Sequence, residues 1–157
     1  AHDAWNASGI GAGVDREFDK VETCQSGLSV LRPFHQREGG GEESDDTTLV
    51  ANLACGYKNE MGPEQLPDLT GHMAAVMTGM AENGPNFAAS RIPITGGPNF
   101  PDVFLFSVFD NMTHWTNYVM QLFSTDAGAR MRNHMDIVLD CNISLWESQQ
   151  LVSPDAE

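Results

Sequence analysis

From Leu49 onward the apolar positions fall into blocks whose period changes from block to block. Leu49–Tyr57 is apolar on both parities except at Asn52, which reads as a strand. Pro63 then opens a helix where its missing N–H costs nothing, with Glu64 and Asp68 in the first turns. Leu66, Leu69, Met73, Val76, Met77 and Met80 fall on one stripe of that helix, and Asn83-Gly84-Pro85 stops it. Phe87–Ile94 reads as a second strand, Thr95–Pro101 as a turn-rich connection, and Val103–Phe109 as the most apolar strand of the chain. Asp110 or Asn111 caps a second helix with an inner stripe of Met112, Trp115, Val119, Leu122 and Phe123. A short helical piece carrying Met131 and Met135 follows, then a closing strand from about Val138 to Trp146.

This order, β-α-β-β-α-β, is the split pattern of a ferredoxin-like α+β unit. It predicts a sheet ordered fourth, first, third, second, with both helices on one face. Parity divides the strands further. The first strand splits into Leu49, Ala51, Leu53 and Cys55 against Val50, Asn52 and Ala54, and the last into Cys141, Ile143 and Leu145 against Asn142, Ser144 and Trp146. The third splits into Phe104, Phe106 and Val108 against Val103, Leu105, Ser107 and Phe109. The purely apolar set on each strand is expected to meet the helices. The sets with single polar residues are expected to face a second sheet across a semi-polar cavity. Cys55 ends the first strand where Cys141 begins the last, both on the helix-facing parity, so a cross-strand disulfide between them is predicted.

The residues before this unit repeat its end. A shift of 117 positions lays Gly11, Ala12, Asp19, Val21, Cys24 and Leu28 on identical residues at Gly128, Ala129, Asp136, Val138, Cys141 and Leu145. Residues 1–34 therefore read as a partial first repeat, its helix end and last strand, degenerate or truncated. Residues 35–47, HQREGGGEESDDT, read as an acidic Gly-rich linker, 48–149 as the complete unit and 150–157 as a tail. The half-repeat cannot cover its own apolar face, so either a missing first part of that repeat or a second copy of the chain, as a homo-oligomer, is expected against it.

Composition narrows the function. A formal net charge of −14, with 22 acidic residues against 8 basic, disfavours nucleic acid and anionic lipid as partners. No apolar run approaches the roughly 20 residues that span a bilayer, so membrane insertion is not expected. The chain begins at Ala1, which is consistent with a removed export signal, and Asn6, Asn111 and Asn142 each head a glycosylation sequon. A secreted or periplasmic location follows as the expectation. Three cysteines would then make one bridge and leave Cys24 free or joined to another chain. The acidic linker lacks calcium-loop spacing, and the methionines of the first helix fit a core better than a metal or haem site. No cofactor is expected.

The strand ending in Cys55-Gly-Tyr-Lys before Pro63-Glu-Gln-Leu, the Phe-rich third strand, the Phe123-Ser-Thr-Asp-Ala-Gly128 helix end and Asp140-Cys141 together resemble the dimeric α+β barrel superfamily. Within it they resemble exported proteins built from two such units in tandem. The resemblance implies a barrel of two facing sheets. It does not choose an activity, because the superfamily holds cofactor-free monooxygenases, haem enzymes and many members without known activity. Its haem-degrading members use an asparagine on the first strand with a tryptophan and a histidine. Asn52 sits on the matching strand, but His114 lies far from its helix's apolar stripe and should face solvent. The preferred reading is a non-catalytic module that binds a small apolar or aromatic ligand or serves as an assembly subunit. Asn52, Ser107, Ser144 and Trp146 would line its cavity, with Arg91 at the mouth. The alternative is a monooxygenase-like small enzyme using the same cavity, and a purely structural subunit is a third.

Overall fold

The structure, a computed structural model, describes residues 28–38, 48–95 and 100–148. Its elements are β1 (Ser29–Gln36), β2 (Thr48–Tyr57), α1 (Gly62–Gly79), a 3-10 turn (Ala81–Asn83), β3 (Phe87–Pro93), β4 (Val103–Phe109), α2 (Met112–Ser124), α3 (Asp126–Val138) and β5 (Leu139–Ser148). The five strands make one antiparallel sheet in the order β1-β3-β4-β2-β5. Among the last four strands this is the expected order, and the α+β architecture is compatible with a ferredoxin-like fold. β1 adds a strand at the β3 edge and runs through His35 and Gln36, two residues into the stretch read as linker. Residues 1–27, which carry Cys24 and most of the partial repeat read over 1–34, lie outside the described residues.

One face of the sheet is packed. β4 shows why, since its residues alternate strictly between buried and half-buried, with Val103, Leu105, Ser107 and Phe109 on the buried side. Directly opposite residues of an antiparallel pair share a face. Ala51 faces Ser107 and Leu53 faces Leu105, so the buried side of β4 is the Cys55 side of β2. All six stripe residues of α1 are buried against it, with Leu69 and Met77 at 0% and 1% exposed. Together they form one apolar cluster with Tyr118, Leu122, Met131 and Val138 of the later helices.

Ser107 therefore lies on the helix side, contrary to the parity reading, while Phe104, Phe106 and Val108 lie on the other. Size explains the reversal better than polarity. Ala51, Ser107 and Ala88 form a row of small side chains across β2, β4 and β3, which leaves depth for long leucine and methionine side chains above them.

The second helix is also rotated from its expected setting. Tyr118 and Leu122 are buried, with Trp115 and Val119 packed beside them, whereas Met112 and Phe123 are largely exposed. Asn111, not Asp110, is its N-cap, accepting a hydrogen bond from the His114 amide at 3.0 Å. Thr125 caps α3 by accepting from the Gly128 amide. The chain bends so tightly there that a Cβ on Gly128 would collide with the Leu122 carbonyl. That same carbonyl accepts from the Arg132 guanidinium, whose cation lies 4.1 Å from the centre of the Phe123 ring.

Cys55 and Cys141 face each other across the β2–β5 pair with sulfurs 2.09 Å apart and Cα atoms 4.1 Å apart, at a sequence separation of 86. This is the bridge expected from the strand parity. Closing a loop of this length contributes roughly 3–5 kcal/mol. Replacing both cysteines by serine is expected to lower the free energy of unfolding by that amount in a denaturant titration. A non-reducing peptide map of the untreated protein should yield the 55–141 cross-linked fragment.

Candidate functional site

Three rows of side chains cross the helix-free face of the sheet, each set by cross-strand register. Phe87, Val108, Val50 and Trp146 form the first row, and Ala89, Phe106, Asn52 and Ser144 the second. Arg91, Phe104, Ala54 and Asn142 form the third. Between them lies a shallow cleft of about 340 Å³ lined by Val50, Asn52, Arg91, Phe104, Phe106 and Trp146. Asn52, Arg91 and Trp146, three of the residues expected to act together, thus meet around one depression. Ser144 sits between Asn52 and Trp146 as its support.

The polar groups of the cleft are held in particular ways. Trp146 is 62% exposed, and its indole Nε1–H donates to Ser144 Oγ at 2.9 Å, which sets the plane of an otherwise free ring. Ser144 Oγ in turn donates to the Asn52 backbone carbonyl at 3.4 Å, not to the Asn52 side chain. Among the described residues the half-buried Asn52 carboxamide has no hydrogen-bond partner. Arg91 donates through Nε to Ser29 Oγ at 2.6 Å, and its guanidinium carbon lies 5.9 Å from the centre of the Phe104 ring. Among the described residues its two terminal nitrogens have no other partner, so they can meet an anion. Ser107 is on the opposite face and takes no part in this cleft. Phe104 and Phe106, assigned by parity to the helices, supply its aromatic floor, with the Phe106 ring centre 5.9 Å from that of Phe87 and the two planes tilted by 42°. The signal that would have found them was register, because Phe106 lies directly opposite Asn52.

A second polar cluster lies at the end of the sheet, on its helix side. His114 is not a surface residue, since only 8% of its side chain is exposed. Its Nε2 donates to the Gly84 carbonyl at 2.9 Å, its Nδ1 meets Asp110 Oδ2 at 3.0 Å, and Phe109 packs edge-on to its ring. Asn86 donates to the other Asp110 oxygen, while Arg37 reaches Asp110 at 3.7 Å and the Glu82 carbonyl at 2.9 Å. His35 bridges the Pro85 carbonyl and Thr78. A histidine with a carboxylate beside it suggests a base and its orienting partner, but here the other ring nitrogen is committed to a backbone carbonyl. The cluster ties the Gly84–Asn86 turn, β1 and the start of α2 together. The open groove of 840 Å³ beside it is lined in part by His35, Arg37, Thr78 and Asp110, which are engaged with one another or with backbone carbonyls.

The bridge between Cys55 and Cys141 places both cysteines on the helix side, away from the cleft. No helix of the described residues is long and apolar enough to cross a membrane. Among those residues no group of three or more metal-ligating side chains occurs. Comparison with known protein families, with curated proteins and with solved structures finds no match.

Burial, the largest single influence on Asp110, pushes its carboxyl up. The Asn86 hydrogen bond, His114 and the Arg37 guanidinium together outweigh it and hold the carboxyl below its ordinary value. A carboxyl depressed in the folded state adds stability above its unfolded value, near pH 4, and loses it as the pH falls through the folded value. Asp110→Asn is therefore expected to melt lower than the wild type at neutral pH. The gap between the two melting temperatures should close as the pH is taken from about 4 downward.

Proposed function

We propose that this chain is an exported binding module whose helix-free sheet face takes a small apolar or aromatic ligand carrying an acceptor or a negative charge. The observation that carries the reading is the convergence of Asn52, Arg91 and Trp146 on one cleft floored by Phe104 and Phe106. The polar groups there are an amide, a guanidinium, an indole and a hydroxyl, none of which exchanges a proton readily near neutral pH. They suit recognition rather than acid–base chemistry. Trp146 offers a ring face for stacking, the Asn52 carboxamide a donor and an acceptor, and Arg91 a charge at the rim. A disulfide between Cys55 and Cys141 is compatible with an extracellular location, which supports export. In this reading β2 to β5 with their helices form a ferredoxin-like unit of the dimeric α+β barrel type. A second sheet, from another copy of the chain, closes over the cleft and excludes water from it.

Two fluorescent probes test the reading: anilinonaphthalene sulfonate, an aromatic anion, and the uncharged phenylnaphthylamine of the same ring system. Asn52→Ala should weaken both about fivefold, the effect of one lost hydrogen bond of ~1 kcal/mol, with melting unchanged. Arg91→Gln should weaken the anion about tenfold and leave the neutral probe unaffected. Affinities unchanged by both substitutions would overturn the reading.

A further inference from the structure

We infer that His72 of α1 and His134 of α3 form a two-histidine binding site for a tetrahedral divalent transition metal, zinc above all. The site lies on the helix layer, on the other side of the sheet from the cleft, and does not depend on any ligand bound there. The two half-buried imidazoles point Nδ1 to Nδ1 at 3.3 Å, with ring centres 5.6 Å apart and planes inclined by 37°. Two nitrogens bound at the usual zinc distance of about 2.0–2.1 Å in tetrahedral array stand about 3.3–3.4 Å apart. The pair already holds that spacing. Square-planar ligation at the same bond length needs nitrogens only about 2.9 Å apart, so the geometry favours zinc or cobalt over copper or nickel.

The alternative use of the pair is a single Nδ1–H···Nδ1 hydrogen bond, which needs one ring in each tautomer. With both ring hydrogens on Nε2, two lone pairs converge on one point, and a cation between them turns repulsion into ligation. Metal entry then needs no proton to be released. Two dative N–metal bonds form and two metal–water bonds break.

Space for the remaining ligands is present, because His72 borders a cavity of about 320 Å³ that also exposes Gln121, Thr125 and Arg130. Arg130 favours an anion, such as hydroxide or acetate, among those ligands. The formal net charge of −14 draws cations towards the molecule as a whole. His72 and His134 come from helices that pack against each other, at a separation of 62 residues. A metal across them would therefore cross-link α1 to α3.

The test is a zinc titration of the untagged, disulfide-intact protein. Long-range nitrogen–proton NMR of the histidine rings reads it without any substitution. One equivalent of zinc should shift both Nδ1 resonances of His72 and His134 to metal-bound positions and leave both rings protonated at Nε2. Zinc in excess should raise the melting temperature by roughly 2–4 °C. His134→Asn and His72→Gln should each abolish that rise. Unshifted Nδ1 resonances, or a rise of the same size in the double variant, would overturn the proposal.

Discussion

The register of β2 between β4 and β5 is the constraint on which both sides of this molecule depend. Opposite residues of an antiparallel pair share a face, so one central strand dictates the side taken by its neighbours. Leu49, Leu53 and Cys55 carry Phe109, Leu105 and Val103 with them into the apolar cluster under the helices. Val50 and Asn52 carry Phe106, Val108, Ser144 and Trp146 to the other face. A slip of one residue would put Asn52 beneath the helices and separate Cys55 from Cys141. The bridge pins the register at one end, where the Lys58 amide also donates to the Val138 carbonyl.

Polar groups are spent at the ends of the helix layer, while its centre is apolar. Asp110, Asn86, Arg37 and His114 join β1, the turn before β3 and the start of α2. At the α2–α3 bend, Thr125, Gly128 and Arg132 satisfy or accommodate the last carbonyls of α2. Lys58 reaches the Asp136 carbonyl near the end of α3. Leu69, Met77, Leu105 and Phe109 between these ties make the part of the layer that depends on packing alone.

The strong periods in the sequence were legible, and the weak ones misled. The α1 stripe spans about four turns with six apolar residues on one side, and every one of them is buried. The strand order and the Cys55–Cys141 pairing followed from element order and from where each strand begins and ends. Parity judged by polarity failed on β4, because a serine between alanines serves as a small core residue and phenylalanines floor a cleft. The α2 stripe failed for a related reason, since a 13-residue helix with apolar residues on several sides leaves its rotation to its neighbours. His114 enters the packed side through hydrogen bonds to Gly84 and Asp110, contacts no spacing rule contains. In the cleft, Asn52 stood out as a lone amide in an apolar strand, and its grouping with Ser144 and Trp146 followed from strand parity. Only the register brought in Phe104 and Phe106.

The central claim is that recognition belongs to the helix-free face. Its most direct test uses the tryptophans, because Trp146 lies on that face and Trp115 packs against the core on the other. Fluorotryptophan-labelled protein titrated with an aromatic carboxylate and followed by fluorine NMR should show the Trp146 resonance moving saturably while that of Trp115 stays fixed. Saturable movement of Trp115 with Trp146 unmoved would place the ligand on the helix side and contradict the account.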